Sequence, residues 1–275
     1  MPPLPAPPPI NPGSGVAPVP PPPSEPIPTF DLRVQDLSHP GVAKFNWAVP
    51  KLNDAMKGAV QASFRWLYAP ETIPADVQTI LLVLRSMDGV AYTTGHRHFK
   101  EIHFSLDYIA KCSEDRDLAA KEIQGVLVHE VVHCYQYNAH GQCPGGLIEG
   151  IADFVRLQAG YEAPHWKQKG GEKWDAGYST TAYFLKWIET RYGTGTVIEL
   201  NEAMKDRDYH RRIFKKLTGR PVRKLWKIYR RSLGENPDLP VPVPAPGPGP
   251  GDEEKLVDLG GGDEMQERLI VAKDL

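Results

Sequence analysis

Residues 125–137 read Gly125-Val126-Leu127-Val128-His129-Glu130-Val131-Val132-His133-Cys134-Tyr135-Gln136-Tyr137, and the spacing of the two histidines decides how the chain folds around them. An α-helix advances about 3.6 residues per turn, so histidines four apart project from the same face and can reach one metal ion. Glu130, beside the first of them, can then hold a water against that metal. From Leu118 to Ala139 the residues Ile123, Val126, Leu127, Val131 and Cys134 recur at three- and four-residue steps, the apolar stripe of an amphipathic helix. His129, His133, Gln136 and Tyr137 form a second stripe. The pattern predicts a helix over residues 118–139 that buries one side and presents two imidazoles on the other.

Zinc in a catalytic site takes three protein ligands and leaves its fourth position to water, so a third ligand is needed. Downstream stands Pro144-Gly145-Gly146-Leu147-Ile148-Glu149-Gly150-Ile151-Ala152-Asp153, where the Pro-Gly-Gly run ends one helix and a new apolar pattern starts another. Glu149 opens that helix and Asp153 falls on the same face one turn later. This spacing suits a glutamate ligand followed by a carboxylate that accepts the free ring N–H of a ligating histidine. His140 is the competing third ligand. In metzincins the third histidine follows the first by ten residues, with a glycine that turns the chain back. Here Ala139 and Gln136 occupy those two positions, so the register is off by one and the bend residue is missing.

At these residues the chain resembles a known family. The run from Gly125 to Tyr137 and the run Pro144 to Leu157 look like the plant basic secretory protein family, also described as peptidases of plants and bacteria. Three further segments agree: Ala163-Pro164-His165-Trp166, then Trp174-Asp175-Ala176-Gly177-Tyr178 with Thr181-Ala182, and Leu200-Asn201 with Leu225-Trp226. The resemblance spans about residues 30 to 233. It implies a gluzincin-like metallopeptidase fold with one zinc ion held by His129, His133 and Glu149, and with Glu130 as base. Members of the family usually begin with a secretion signal. Residues 1–29 lack both a charged start and an uninterrupted apolar stretch, and so do not read as one.

Those first 29 residues hold fourteen of the 28 prolines and no Lys or Arg, a composition that favours extended, solvated backbone and predicts a disordered arm. Residues 236–275 carry seven more prolines, a Pro-Gly alternation and nine acidic against three basic residues, and are expected to form a second disordered tail. Between them, residues 30–235 hold 29 basic and 24 acidic residues, a mild net charge of +5 that does not argue for nucleic acid. No apolar segment approaches the length needed to span a bilayer. The three cysteines, Cys112, Cys134 and Cys143, are few and odd in number, which favours a reducing compartment, whereas the family resemblance suggests an extracellular one. A Cys112 to Cys143 bridge stays open, and Cys134 is expected to pack in the core.

The segment 30–235 reads as one domain. A helix is expected over 51–68, strands over 77–85, 89–93 and 99–106, then helices over 118–139, 146–159, 177–191, 195–205, 209–217 and 221–233. Strands first and helices afterwards is the α+β order: a small mixed sheet packed on the active-site helix, followed by a mostly helical C-terminal half. Phe99-Lys100-Glu101-Ile102-His103-Phe104-Ser105 alternates and is the expected edge strand, with His103 on it structural rather than catalytic. An extended peptide could add to such an edge.

The chemistry expected is zinc-dependent peptide-bond hydrolysis. Glu130 takes the proton of the attacking water and passes it to the leaving amine. A donor aimed at the developing oxyanion should be worth about 3 kcal/mol. Tyr178 is the choice for that donor, because it lies in a segment shared with the family and a phenol donates without carrying charge; His165 is the alternative. The expected partner is a peptide or protein substrate, met by a monomer. A second function class keeps the same fold but only holds peptides in the groove, without cutting them.

Overall fold

Five strands form one mixed sheet in the computed structural model, which describes residues 25–235 and 270–272. They are β1 (Thr29–Val34), β2 (Thr79–Arg85), β3 (Ala91–Gly95), β4 (Phe99–Ser105) and β5 (Ile270–Ala272), in the spatial order β1-β2-β4-β3-β5. β1, β2 and β4 run parallel, with Thr29 opposite Thr79 and Thr79 opposite Phe99. β3 pairs antiparallel with β4, and β5 antiparallel with β3. β2 is apolar from Ile80 to Leu84 and all five of those residues are buried, as an interior parallel strand requires.

Nine helices are present among the described residues: α1 (Pro40–Ala48), α2 (Leu52–Leu67), α3 (Leu106–Lys111), α4 (Arg116–Tyr135), α5 (Gly145–Gln158), α6 (Tyr178–Tyr192), α7 (Thr196–Glu202), α8 (Arg212–Thr218) and α9 (Val222–Ser232). α1 and α2 form the crossover between the parallel strands β1 and β2. One continuous core joins Ile80, Leu82 and Leu84 of β2 and Ile102 and Phe104 of β4 to Phe64 of α2 and to Ile123, Val126, Leu127 and Val131 of α4. Each such fully buried aliphatic side chain contributes about 1.5–3 kcal/mol relative to exposure. The arrangement is α+β, as expected. No described helix is long and apolar enough to cross a membrane.

Several expectations need correction. Phe99–Ser105 is not an edge strand: β4 lies inside the sheet between β2 and β3, and its alternation reflects two differently packed faces rather than an exposed rim. The helix that carries the two histidines does not reach residue 139. Asp115 caps its start by accepting from the backbone of Asp117 and Leu118. It ends at Tyr135, after which Asn201 Oδ1 accepts the Tyr137 N–H at 3.0 Å, and Ala139 and His140 adopt left-handed backbone (φ 55° and 53°) that a helix cannot contain. Nor does α4 show one wet face. From Gly125 to Tyr135 every residue except His133 is buried, because α2, the sheet and α5 enclose it.

β1, α1 and α3 were not anticipated. Most of both expected disordered tails lies outside the described residues, but Ile270–Ala272 falls within the second and is a strand. His103 stacks on Tyr92, its direct cross-strand neighbour, at 4.6 Å between ring centroids, and its Nε2 lies 3.1 Å from Glu101. These are packing contacts on the sheet. Cys112, Cys134 and Cys143 are free thiols, and Cys134 is buried.

Candidate metal centre

α4 and α5 bring four polar side chains together in the interior. His129 is fully buried, and the His133 side chain on the next turn is 2 % exposed. Their Nε2 atoms lie 3.1 Å apart. Glu149 Oε2, from the first turns of α5, stands 3.1 Å from His129 Nε2 and 3.8 Å from His133 Nε2. Three donors of different residues thus converge on one point, and a group of this composition can hold a metal ion. Asp153, one turn beyond Glu149, accepts from His129 Nδ1 at 2.7 Å, which fixes the tautomer and leaves Nε2 for the cluster. His133 has its own support. Gln136 Nε2 lies 2.6 Å from His133 Nδ1, a contact that orients the ring.

The close seating of α5 depends on glycine. A Cβ on Gly146 would collide with the carbonyl oxygen of Asp175, so only glycine lets the 175–177 backbone lie against the start of α5. Gly177 follows in positive φ (94°), and then Tyr178, a non-glycine residue at φ 45°, begins α6. Left-handed backbone in a bulky residue is strained and persists where the surroundings over-determine it. Its result is to place the Tyr178 ring against His129, stacked at 6.2 Å with 14° between planes.

Charge in this pocket is arranged unevenly. Burial alone would lower the pKa of His129, but Asp153 and Glu149 outweigh it and hold the imidazole up to about 10. His133 moves the opposite way, down to about 4, through burial and the positive charge on His129, against the pull of Glu149. The two carboxylates thus favour the charged form of His129, while burial favours the neutral form of His133. The proton occupies the role of a cation among carboxylates. Glu130 is pushed up to about 7, chiefly by burial, with His129 and Thr93 acting against the rise.

Glu130 is fully buried beneath this cluster. Its Oε2 accepts from Thr93 Oγ1 of β3 at 2.7 Å, and its Oε1 is a buried oxygen with no hydrogen-bond partner. An unpaired carboxylate oxygen in the interior is costly, and a water or a substrate proton is the natural complement. Neither Thr93 nor Gln136 was expected at the site. Gln136 stood in the same stripe as the histidines and could have been read as a partner at i+3; nothing local marks Thr93, whose role arises from β3 lying across α4.

The remaining candidates are not brought in. His140 is exposed in the loop after α4, with Nδ1 3.1 Å from Asp208. His165 is an exposed residue between α5 and α6, whereas Tyr178 is half-buried at the cluster. Among curated proteins and among solved structures, nothing matches this chain. The family described as peptidase of plants and bacteria matches residues 27–229, which include the whole of this cluster, and the chain belongs to that family.

Proposed function

We propose that this protein is a zinc-dependent peptidase of zincin-like type, with His129, His133 and Glu149 as ligands and Glu130 as general base. The observation that carries this is the triangle of ligand atoms, with sides of 3.1, 3.1 and 3.8 Å. Bonds of about 2.0–2.1 Å in a tetrahedron give donor separations of about 3.3 Å, so the three atoms fit one face of a tetrahedral zinc site and leave the fourth corner open. When bound there, zinc supplies a water whose pKa falls from about 15.7 to about 7 and polarises a carbonyl oxygen.

The rest of the chemistry belongs to the chain. Glu130 Oε1, unpaired and buried, takes the proton of the attacking water, while Thr93 holds Oε2 so that the carboxylate cannot rotate away. Burial pushes the Glu130 carboxyl upward, the direction that suits a group which accepts a proton from water and then gives it to the leaving amine. Asp153 keeps His129 oriented through Nδ1, and Gln136 does the same for His133. Tyr178, whose ring stacks on His129, would be the donor to the oxyanion as it forms.

Glu130→Gln tests the reading because it preserves shape and removes the base. The variant should retain one zinc per chain and lose cleavage of a peptide library by about 10² to 10⁴. Undiminished cleavage, with a His129→Ala control silent, would refute the mechanism. Equal peptide binding by both proteins with no cleavage by either would identify a peptide-holding protein instead.

A further inference from the structure

The sheet edge beside Glu130 is covered by the chain's own C-terminal segment. β3 joins β4 on one side and β5 on the other, with Ala91 opposite Ala272, Tyr92 opposite Val271 and Thr93 opposite Ile270. The same Thr93 donates to the Glu130 carboxylate, so the backbone position paired with residue 270 is the one that touches the site. Without β5, the outer N–H and C=O groups of β3 would form a free edge, and such an edge pairs with any extended peptide.

The segment has a composition of its own. The prolines of the C-terminal region end at Pro250, and Leu269-Ile270-Val271-Ala272 is an apolar run between Arg268 and Lys273 in an otherwise acidic stretch. β-Branched Ile270 and Val271 favour extended pairing. It also lies outside residues 27–229, the part of the chain that matches the family.

We infer that the outer edge of β3 is the binding edge for an extended peptide and that residues 270–272 are its intramolecular occupant, a competitor that an incoming peptide displaces. The inference rests on the proposed function only in calling that peptide a substrate. Tethering makes a short strand contact effective, since it competes as though free peptide were present at roughly millimolar concentration.

The test uses the full chain carrying Ile270→Pro and Val271→Pro together, because proline removes the N–H donors and is excluded from paired strand interiors. The probe is a fluorescent peptide with the sequence of residues 266–275. The variant should bind it about tenfold more tightly than the wild type. Backbone amides of Ala91 to Thr93 that are protected in the wild type should exchange about tenfold faster in the variant and slow again with probe. KM for an extended peptide substrate should fall with kcat unchanged. Equal probe affinity and unchanged exchange would overturn the inference, as would faster exchange with KM unaltered. If neither protein cleaves any peptide, the peptidase reading fails, and probe affinity with amide exchange still decides the strand assignment.

Discussion

Thr93 Oγ1 stands 2.7 Å from Glu130 Oε2 and 2.9 Å from the main-chain oxygen of the same residue, so one hydroxyl spans the side chain and the backbone of a single buried glutamate. It has one proton and two acceptors. When Glu130 is ionised the proton belongs on Oε2; when Glu130 is protonated the hydroxyl can turn to the main chain and accept from the carboxyl. Oε2 thereby keeps a partner in both charge states of Glu130 without movement of the helix.

Thr93→Val keeps the shape and removes that hydroxyl. A lost hydrogen bond to a charged group costs about 1.5–3 kcal/mol, so kcat should drop by roughly 10- to 100-fold with KM and zinc content little changed. Thr93→Ser should restore most of the rate. Steady-state kinetics on the three proteins decide it, and equal loss in the serine variant would assign the effect to packing.

Metal content separates the ligands from their supports. His133→Ala and Glu149→Ala should each bring zinc from one per chain to near none after dialysis, whereas His140→Ala should leave it unchanged. Asp153→Asn retains the ligands and disturbs the tautomer of His129, which should weaken zinc by about 10- to 100-fold in chelator competition. Full zinc retention in Glu149→Ala would disprove the ligand set.

The proton on His129 should leave when the metal arrives. With its pKa held up to about 10, that imidazole is charged at pH 7, and a ligand nitrogen must be neutral. Calorimetric titration of zinc into the metal-free protein, in buffers of different ionisation enthalpy, should show about one proton released per ion from His129. The same raised pKa stabilises the metal-free fold fully below the ordinary value of 6.5, and this stability is lost as pH climbs from there toward 10. Glu130, raised from 4.5 to about 7, adds a loss over its own lower window. His133, lowered to about 4, acts only below 6.5 and with the opposite sign. Metal-free protein should therefore melt at progressively lower temperature from pH 7 to pH 10. A flat profile would mean that His129 is neutral.

Tyr178→Phe removes a hydroxyl and leaves the stacked ring. If the phenol donates to the oxyanion, kcat should fall by about 10² to 10³ while zinc affinity and Tm hold. A rate within twofold of wild type would transfer that role to another group.

Legibility of the fold followed the range of the interactions concerned. Helices α4 and α5 could be read because their information is local: histidines four apart, a Pro-Gly-Gly break, then an apolar pattern carrying Glu149 and Asp153. The order of strands could not. Phe99 to Ser105 alternates in the way an edge strand does, and only pairing with β2 and β3 reveals it as interior. β1 adjoins a proline-rich run that masks its alternation, and a three-residue strand such as β5 carries too few positions for any period to be seen. Five residues of the site, His129, Glu130, His133, Glu149 and Asp153, were marked by spacing on their own helices; Thr93 was hidden because its partner is 37 positions away.

The imidazole of His129 is gripped at both nitrogens by one helix, Asp153 at Nδ1 and Glu149 at Nε2, from successive turns of α5. Side chains four residues apart on a helix are separated by about 6 Å along its axis, so the ring acts as a gauge block between α4 and α5. Sliding α5 by one turn in either direction brings one carboxylate into the other's place and leaves the opposite ring nitrogen without a partner. A chain collapsed with these helices out of step would hold the histidine at one nitrogen only and leave the other ring proton free to exchange, which makes the paired ring-proton signals of His129 a reporter of native helix register during refolding, before any metal is added.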